Sequence, residues 1–186
     1  MSERSVDRTV PVFGGKEEWD EILYVRKWLT SMGVPFEHFE SLKMELTQQL
    51  RRPPTAGDVI FTILQQWVEA CKSTGDLDQL TNAYYQMAQF LHEEGGDFFP
   101  AMKESRRAGL MGAKERGLST KVEIRATSRH DLSTEGRVLL SCPACSQWDG
   151  RVLTIDQALD QMPLPNRQCT HEAVGDAPGW CRCMYL

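Results

Sequence analysis

The chain has 186 residues, 21 basic against 26 acidic, and 41% of them are hydrophobic. That suffices for one globular domain, or one domain with a small satellite, and excludes a disordered chain. No apolar run nears the ~18 residues that span a bilayer.

The opening Met1-Ser-Glu-Arg lacks the basic-then-apolar build of a signal peptide. The expectation is a cytoplasmic protein without a membrane partner, in which reduced thiols favour metal over disulfides.

Taken in order, residues 1–15 read as a polar arm with one apolar patch, Val10 to Phe13. Residues 16–117 read as a domain of four to five helices. Ile22, Val25, Trp28, Leu29 and Met32 recur at helical spacing, and Gly33 suits the end of that helix. Phe39, Leu42, Leu46 and Leu50 give a second stripe, with Arg51 and Arg52 expected in its last turn, where they suit the helix dipole. Pro53-Pro54 stops it. Thr55 to Asp58 resembles a capping box ahead of the most apolar helix, Val59 to Val68.

Cys71, near the end of that helix, reads as a small buried hydrophobe. Leu77, Leu80, Tyr84, Met87, Phe90 and Leu91 form the next stripe. A fifth helix starts near Phe98 with Asp97 as cap, carries Gly109 and Gly112 in its interior, and stops at Gly117.

The period then changes. Lys121 to Thr127 alternates as a strand does, and Arg137 to Ser141 and Arg151 to Thr154 read as two more. Cys142 to Gly150 is expected as a turn between strands. Thr154 and Gln157 suit the cap of a short helix, Ile155 to Met162. Residues beyond Pro163 have no periodicity. The fold class expected is mainly α, a helical domain followed by a small zinc-stapled β-hairpin module over 118–186.

Five of the six cysteines lie in that module. Cys142 and Cys145, two residues apart around a proline, can turn both sulfurs to one point, as a structural zinc site requires. A second pair comes from Cys169, His171, Cys181 and Cys183. The leading set is Cys142, Cys145, Cys169 and Cys181, with Cys183 the close alternative to Cys181 and His171 the outsider. A segment this short and polar cannot bury enough surface to fold alone, whereas structural zinc supplies ~10–16 kcal/mol of apparent binding free energy. Four protein ligands leave no open position, so such an ion is structural.

The module resembles one found in the phage head-morphogenesis family of minor capsid proteins. The residues that carry the resemblance are Val122 to Ile124, Cys142-Pro-Ala-Cys145, Asp149 to Val152, Ile155 to Ala158, Pro163 to Pro165 and Gly179 to Cys183. It covers residues 121–186 and implies an assembly role, in a phage-derived or genome-defence setting. The helical part, 16–117, suggests no family.

Charge is unevenly spread. Residues 103–130 hold eight basic and three acidic groups, whereas residues 1–102 hold nine and sixteen. Lys103, Arg106, Arg107, Lys114, Arg116, Arg125 and Arg129 can face a nucleic-acid backbone or pair with carboxylates of the same chain, and the second reading is favoured. Trp148 and Trp180 can stack bases or cover the metal. His130 and His171, each beside a carboxylate, invite a nuclease reading without its usual spacing. No phosphate loop or nucleophile elbow occurs. A zinc-binding protein that works by protein interaction therefore ranks ahead of a nucleic-acid binder, and an enzyme comes last.

Overall fold

A computed structural model describes residues 18–126, 142–169, 181 and 183–186. The fold is mainly helical. Among the described residues the helices are α1 (Glu18–Met32), α2 (Phe36–Gln49), α3 (Ala56–Thr74), α4 (Leu77–Glu93), α5 (Phe99–Glu115), α6 (Pro143–Ser146) and α7 (Ile155–Gln161). Three short strands, β1 (Lys121–Arg125), β2 (Val152–Thr154) and β3 (Met184–Tyr185), form one antiparallel sheet in the order β2-β1-β3. The chain divides into two compact units, residues 1–66 and 67–186, with the boundary inside α3.

In the first unit the expected stripes are the buried ones. Val25, Trp28 and Leu29 of α1, Phe39, Leu42 and Leu46 of α2, and Val59, Ile60, Ile63 and Leu64 of α3 lose nearly all their exposure. Gly33 takes a positive φ of 67° after α1, a conformation that costs a residue with a Cβ.

Arg51 and Arg52 do not sit in the last turn of α2, which ends at Gln49 with an extended Leu50 behind it. Arg52 precedes a proline, whose ring disfavours helical backbone at that position. Its guanidinium instead grips the fully buried Asp58 carboxylate with two bonds, 2.6 and 2.8 Å. The capping box is present: the Thr55 N–H donates to Asp58 Oδ2 at 2.7 Å, and the Asp58 N–H donates to the Thr55 hydroxyl at 3.3 Å.

In the second unit α4 packs along α5. The buried Ser105 hydroxyl donates to the Thr81 carbonyl of α4 at 2.9 Å. Gly109 and Gly112 face α4 at Thr81 and Leu77. The other side of α5 meets α7, where Leu110 shares a core with Val122, Ile155, Ala158 and Met162. Residues 117–121, where the sequence suggests a seam, lie inside this unit.

The predicted helix after Thr154 is there, closed by the reciprocal bonds of Thr154 and Gln157. Strand β1 is central. It pairs Val122 with Leu153 on one side and Ile124 with Tyr185 on the other. The strand expected over 137–141 lies outside the described residues.

Burial raises the cost of charging Asp58, yet the bonds from Arg52 and Thr55 outweigh it and hold the carboxyl below its usual range. A lowered folded value gives stability that is present above the unfolded value, near pH 3.9, and lost as pH falls through the folded one. Asp58→Asn is expected to cost about 2 kcal/mol at pH 7 in urea unfolding, with the gap closing below about pH 4; an equal gap at all pH values would refute the role.

A Cβ on Gly109 would lie 3.8 Å from the Thr81 side chain, an ordinary contact. Gly109→Ala is therefore expected to stabilise by about 1 kcal/mol, read as a higher melting temperature; a lower one would mean that α5 needs the glycine.

Candidate metal centre

Local backbone chemistry brings the cysteines together. Cys142 is the N-cap of the one-turn helix α6, with Pro143 in the first turn. That turn folds back on Cys142, whose carbonyl accepts from the Cys145 and Ser146 amides, each at 2.9 Å. The stretch expected as a plain turn between strands is thus a helical one. Asp149 and Gly150 then reverse the chain. Gly150 has φ 71°, its N–H donates to the Ile124 carbonyl at 2.8 Å, and the Asp149 carboxylate accepts the Ala126 N–H at 2.8 Å. This knuckle is therefore pinned to β1.

Cys169 arrives on the turn that the Pro-Asn-Arg-Gln stretch suggests. Its N–H donates to the Asn166 carbonyl at 3.0 Å. The Asn166 side chain donates to the Ala144 carbonyl at 2.6 Å, which ties this turn to α6. Cys181 and Cys183 precede β3, and Leu186 exchanges two backbone bonds with Glu123, 2.9 and 3.0 Å. Three separate stretches thus converge, each held by backbone hydrogen bonds.

No disulfide joins any of the six cysteines. Cys142, Cys145 and Cys169 form one group of sulfurs all within 4.8 Å of one another, and Cys145, Cys181 and Cys183 form a second. Cys145 belongs to both. The Cys142–Cys169 and Cys145–Cys181 sulfurs are each 3.7 Å apart. A disulfide would place them about 2.0 Å apart. A tetrahedral ion with bonds of about 2.3 Å to sulfur has sulfur–sulfur edges of about 3.8 Å. The observed spacing is that of a ligand shell, and the groups can hold a metal ion. Cys71 belongs to neither group and is buried in α3, where burial pushes its thiol up.

The surroundings suit thiolates held for a metal. Cys145 and Cys183 have no exposure, and Cys142 and Cys181 have little. Ile124 and Leu164 complete the same core, with Trp148, Leu153 and Tyr185 packed against it. Hydrogen bonds from Cys145 and then Cys183 hold the Cys181 thiol well below its usual range. Hydrogen bonding with Cys181 and then Cys183, together with burial, holds the Cys145 thiol far up. The hydroxyl of the half-buried Tyr185, pushed up to about 12 by desolvation, accepts from the Leu164 N–H at 3.3 Å and stays neutral.

Trp148 lies against the cysteine core on one side and under the Arg151 guanidinium on the other, 4.7 Å from its ring centre. His130, His171, Arg129 and Trp180 lie outside the described residues. Among the basic residues, Arg107 pairs with Glu104, Lys114 with Asp156, Arg116 with Asp78 and Arg125 with Glu123. Arg106 buries its Nε without a hydrogen-bond partner among the described residues. In the first unit an open groove of about 740 Å³ is lined, among the described residues, by Ile22, Arg26, Leu29, Thr30, Gly33, Val34 and Phe36, none of which carries a carboxylate, thiol or imidazole.

Sequence reasoning missed strand β3, the pinning role of Asp149 and the sharing of Cys145. The apolar Met184-Tyr-Leu186 ending was the available sign of β3. No family model matches the chain, and comparisons with curated proteins and with solved structures give no match.

Proposed function

We propose that the cysteine groups bind one structural zinc ion, and that the module folded around it serves protein interaction or assembly. The observation that carries the first half is the 3.7 Å spacing of buried and half-buried sulfurs drawn from three distant stretches. Cys142, Cys145, Cys169 and Cys181 form the leading ligand set, with Cys183 beside them. An all-thiolate site selects soft ions, and zinc accepts its tetrahedral geometry without distortion. The ion supplies a fixed, positively charged centre that the thiolates need. It offers no open position for substrate when four sulfurs hold it.

The interaction half rests on what the centre leaves over. A closed, four-sulfur site does no chemistry, and the exposed Val152, Met184 and Leu186 lie on or beside the sheet it fixes. The phage-derived or genome-defence setting is part of the same proposal, and the neighbouring genes test it. Nucleic-acid binding through Lys103 to Arg129 is the less favoured reading, because four of those side chains already face carboxylates of their own chain.

Purified protein is expected to carry about one zinc per chain. Cys142→Ala should lose that zinc while keeping most of the far-ultraviolet helical signal, because the five long helices lie outside the cluster. Because binding displaces thiol protons, acidification should release the ion, and zinc retained in strong acid would refute thiolate ligation. A labelled DNA duplex titrated at two salt concentrations is expected to show no binding. Affinity that falls steeply with salt would promote the basic residues to a phosphate-binding face.

A further inference from the structure

The two cysteine groups hold one sulfur more than a four-coordinate ion uses. Each group of three needs one more donor, and the two groups meet at Cys145. Cys181 lies 3.7 Å from Cys145 and Cys142 lies within 4.8 Å of it, so each is the candidate fourth donor to the other group once the sulfurs close around an ion. Both completed sets contain Cys142, Cys145 and Cys181. They differ only in Cys169 and Cys183.

Those two residues sit in different surroundings. Cys183 has no exposure and lies in the apolar core with Ile124 and Leu164. Cys169 is the one cysteine of the cluster that is only partly buried, at the end of the Asn166 turn. We propose that Cys169 and Cys183 share the fourth position of the metal centre, so that when Cys183 completes the site Cys169 stands at its rim as a modification site for soft electrophiles.

This rests on the zinc reading above and adds a second property to the same residues. Reactivity of a thiol needs access as well as thiolate character, and access is what separates Cys169 from the other four. A buried ligand on the ion is protected by the metal, which occupies its lone pair. With Cys183 in place the ion keeps four sulfurs, and covalent capping of Cys169 does not expel it.

The test uses the full chain loaded with Zn²⁺ and iodoacetamide as the electrophile. The Cys169 sulfur attacks the methylene carbon, the carbon–iodine bond breaks, iodide leaves and the thiol proton passes to water. Native mass spectrometry followed by peptide mapping is expected to show one carbamidomethyl group, on Cys169, with the zinc retained. Cys169→Ser and Cys183→Ser should each keep one zinc against a competing chelator, and the double variant should lose it.

Zinc lost from Cys169→Ser alone, or an ion expelled by the modification, would overturn the exchange and leave a fixed set that includes Cys169. A loaded chain that stays unmodified would overturn it too. Those results leave the zinc reading standing, whereas a wild-type chain that takes up no zinc defeats both. The modification of the wild-type chain decides the matter even if a variant fails to fold.

Discussion

The C-terminal sheet and the turn that carries Cys142 and Cys145 are built about two groups of close sulfurs that share Cys145. The segment from Lys121 on is rich in proline, glycine and charge, and among its described residues the regular structure is three short strands and two short helices. Among the described residues its apolar burial is split between two small cores: Val122, Ile155 and Ala158 pack with Leu110 of α5, whereas Ile124 and Leu164 are the only buried residues without sulfur in the cysteine core. Four cysteines fill the remaining positions of that core. Thiols packed against one another without a cation gain little, because each neutral S–H is a weak donor and each thiolate repels the next. A divalent ion bound there, as proposed, would reverse the sign of that balance.

Strand β1 transmits that constraint to the helices. Its inward face carries Val122 into the core formed with α5 and α7, and Ile124 into the cysteine core. Two residues apart on a strand face the same way, so one short strand ties both cores together. Asp149 and Gly150 bond to the backbone just beyond and at Ile124, and Leu186 bonds to Glu123. The turn over 142–150 and Leu186 are therefore registered against the same strand from opposite edges. Leu153 and Tyr185, the cross-strand partners of Val122 and Ile124, each pack against both cores.

The helices were legible in the sequence because each has a clean stripe and a chemical stop. Gly33, Gly75, Gly95 and Gly117 all take positive φ at or near helix ends, and the caps at Thr55 and Thr154 form as their side chains suggest, whereas the Asp76 cap of α4 emerges only in the structure. What could not be read was non-local. Arg52 was placed by the pattern in a helix end, yet a buried carboxylate six residues on claims it. The order β2-β1-β3 depends on a return of the chain end that no spacing announces. The cysteines were recognisable as a metal set from the Cys-x-x-Cys pair, but which sulfurs meet follows from the turn at Asn166 and the pairing of β3. The basic residues show the same limit: composition gave a positive band, and only the fold shows that Asp78 and Asp156, far along the chain, neutralise part of it.

The centre is best probed where its atoms are. X-ray absorption at the zinc edge of the purified full chain reads the ligand type and bond length without reference to folding or activity. The account predicts a shell of four sulfurs at about 2.3 Å. A shell dominated by nitrogen or oxygen, or a protein whose thiols are oxidised in pairs with no zinc present, would contradict it.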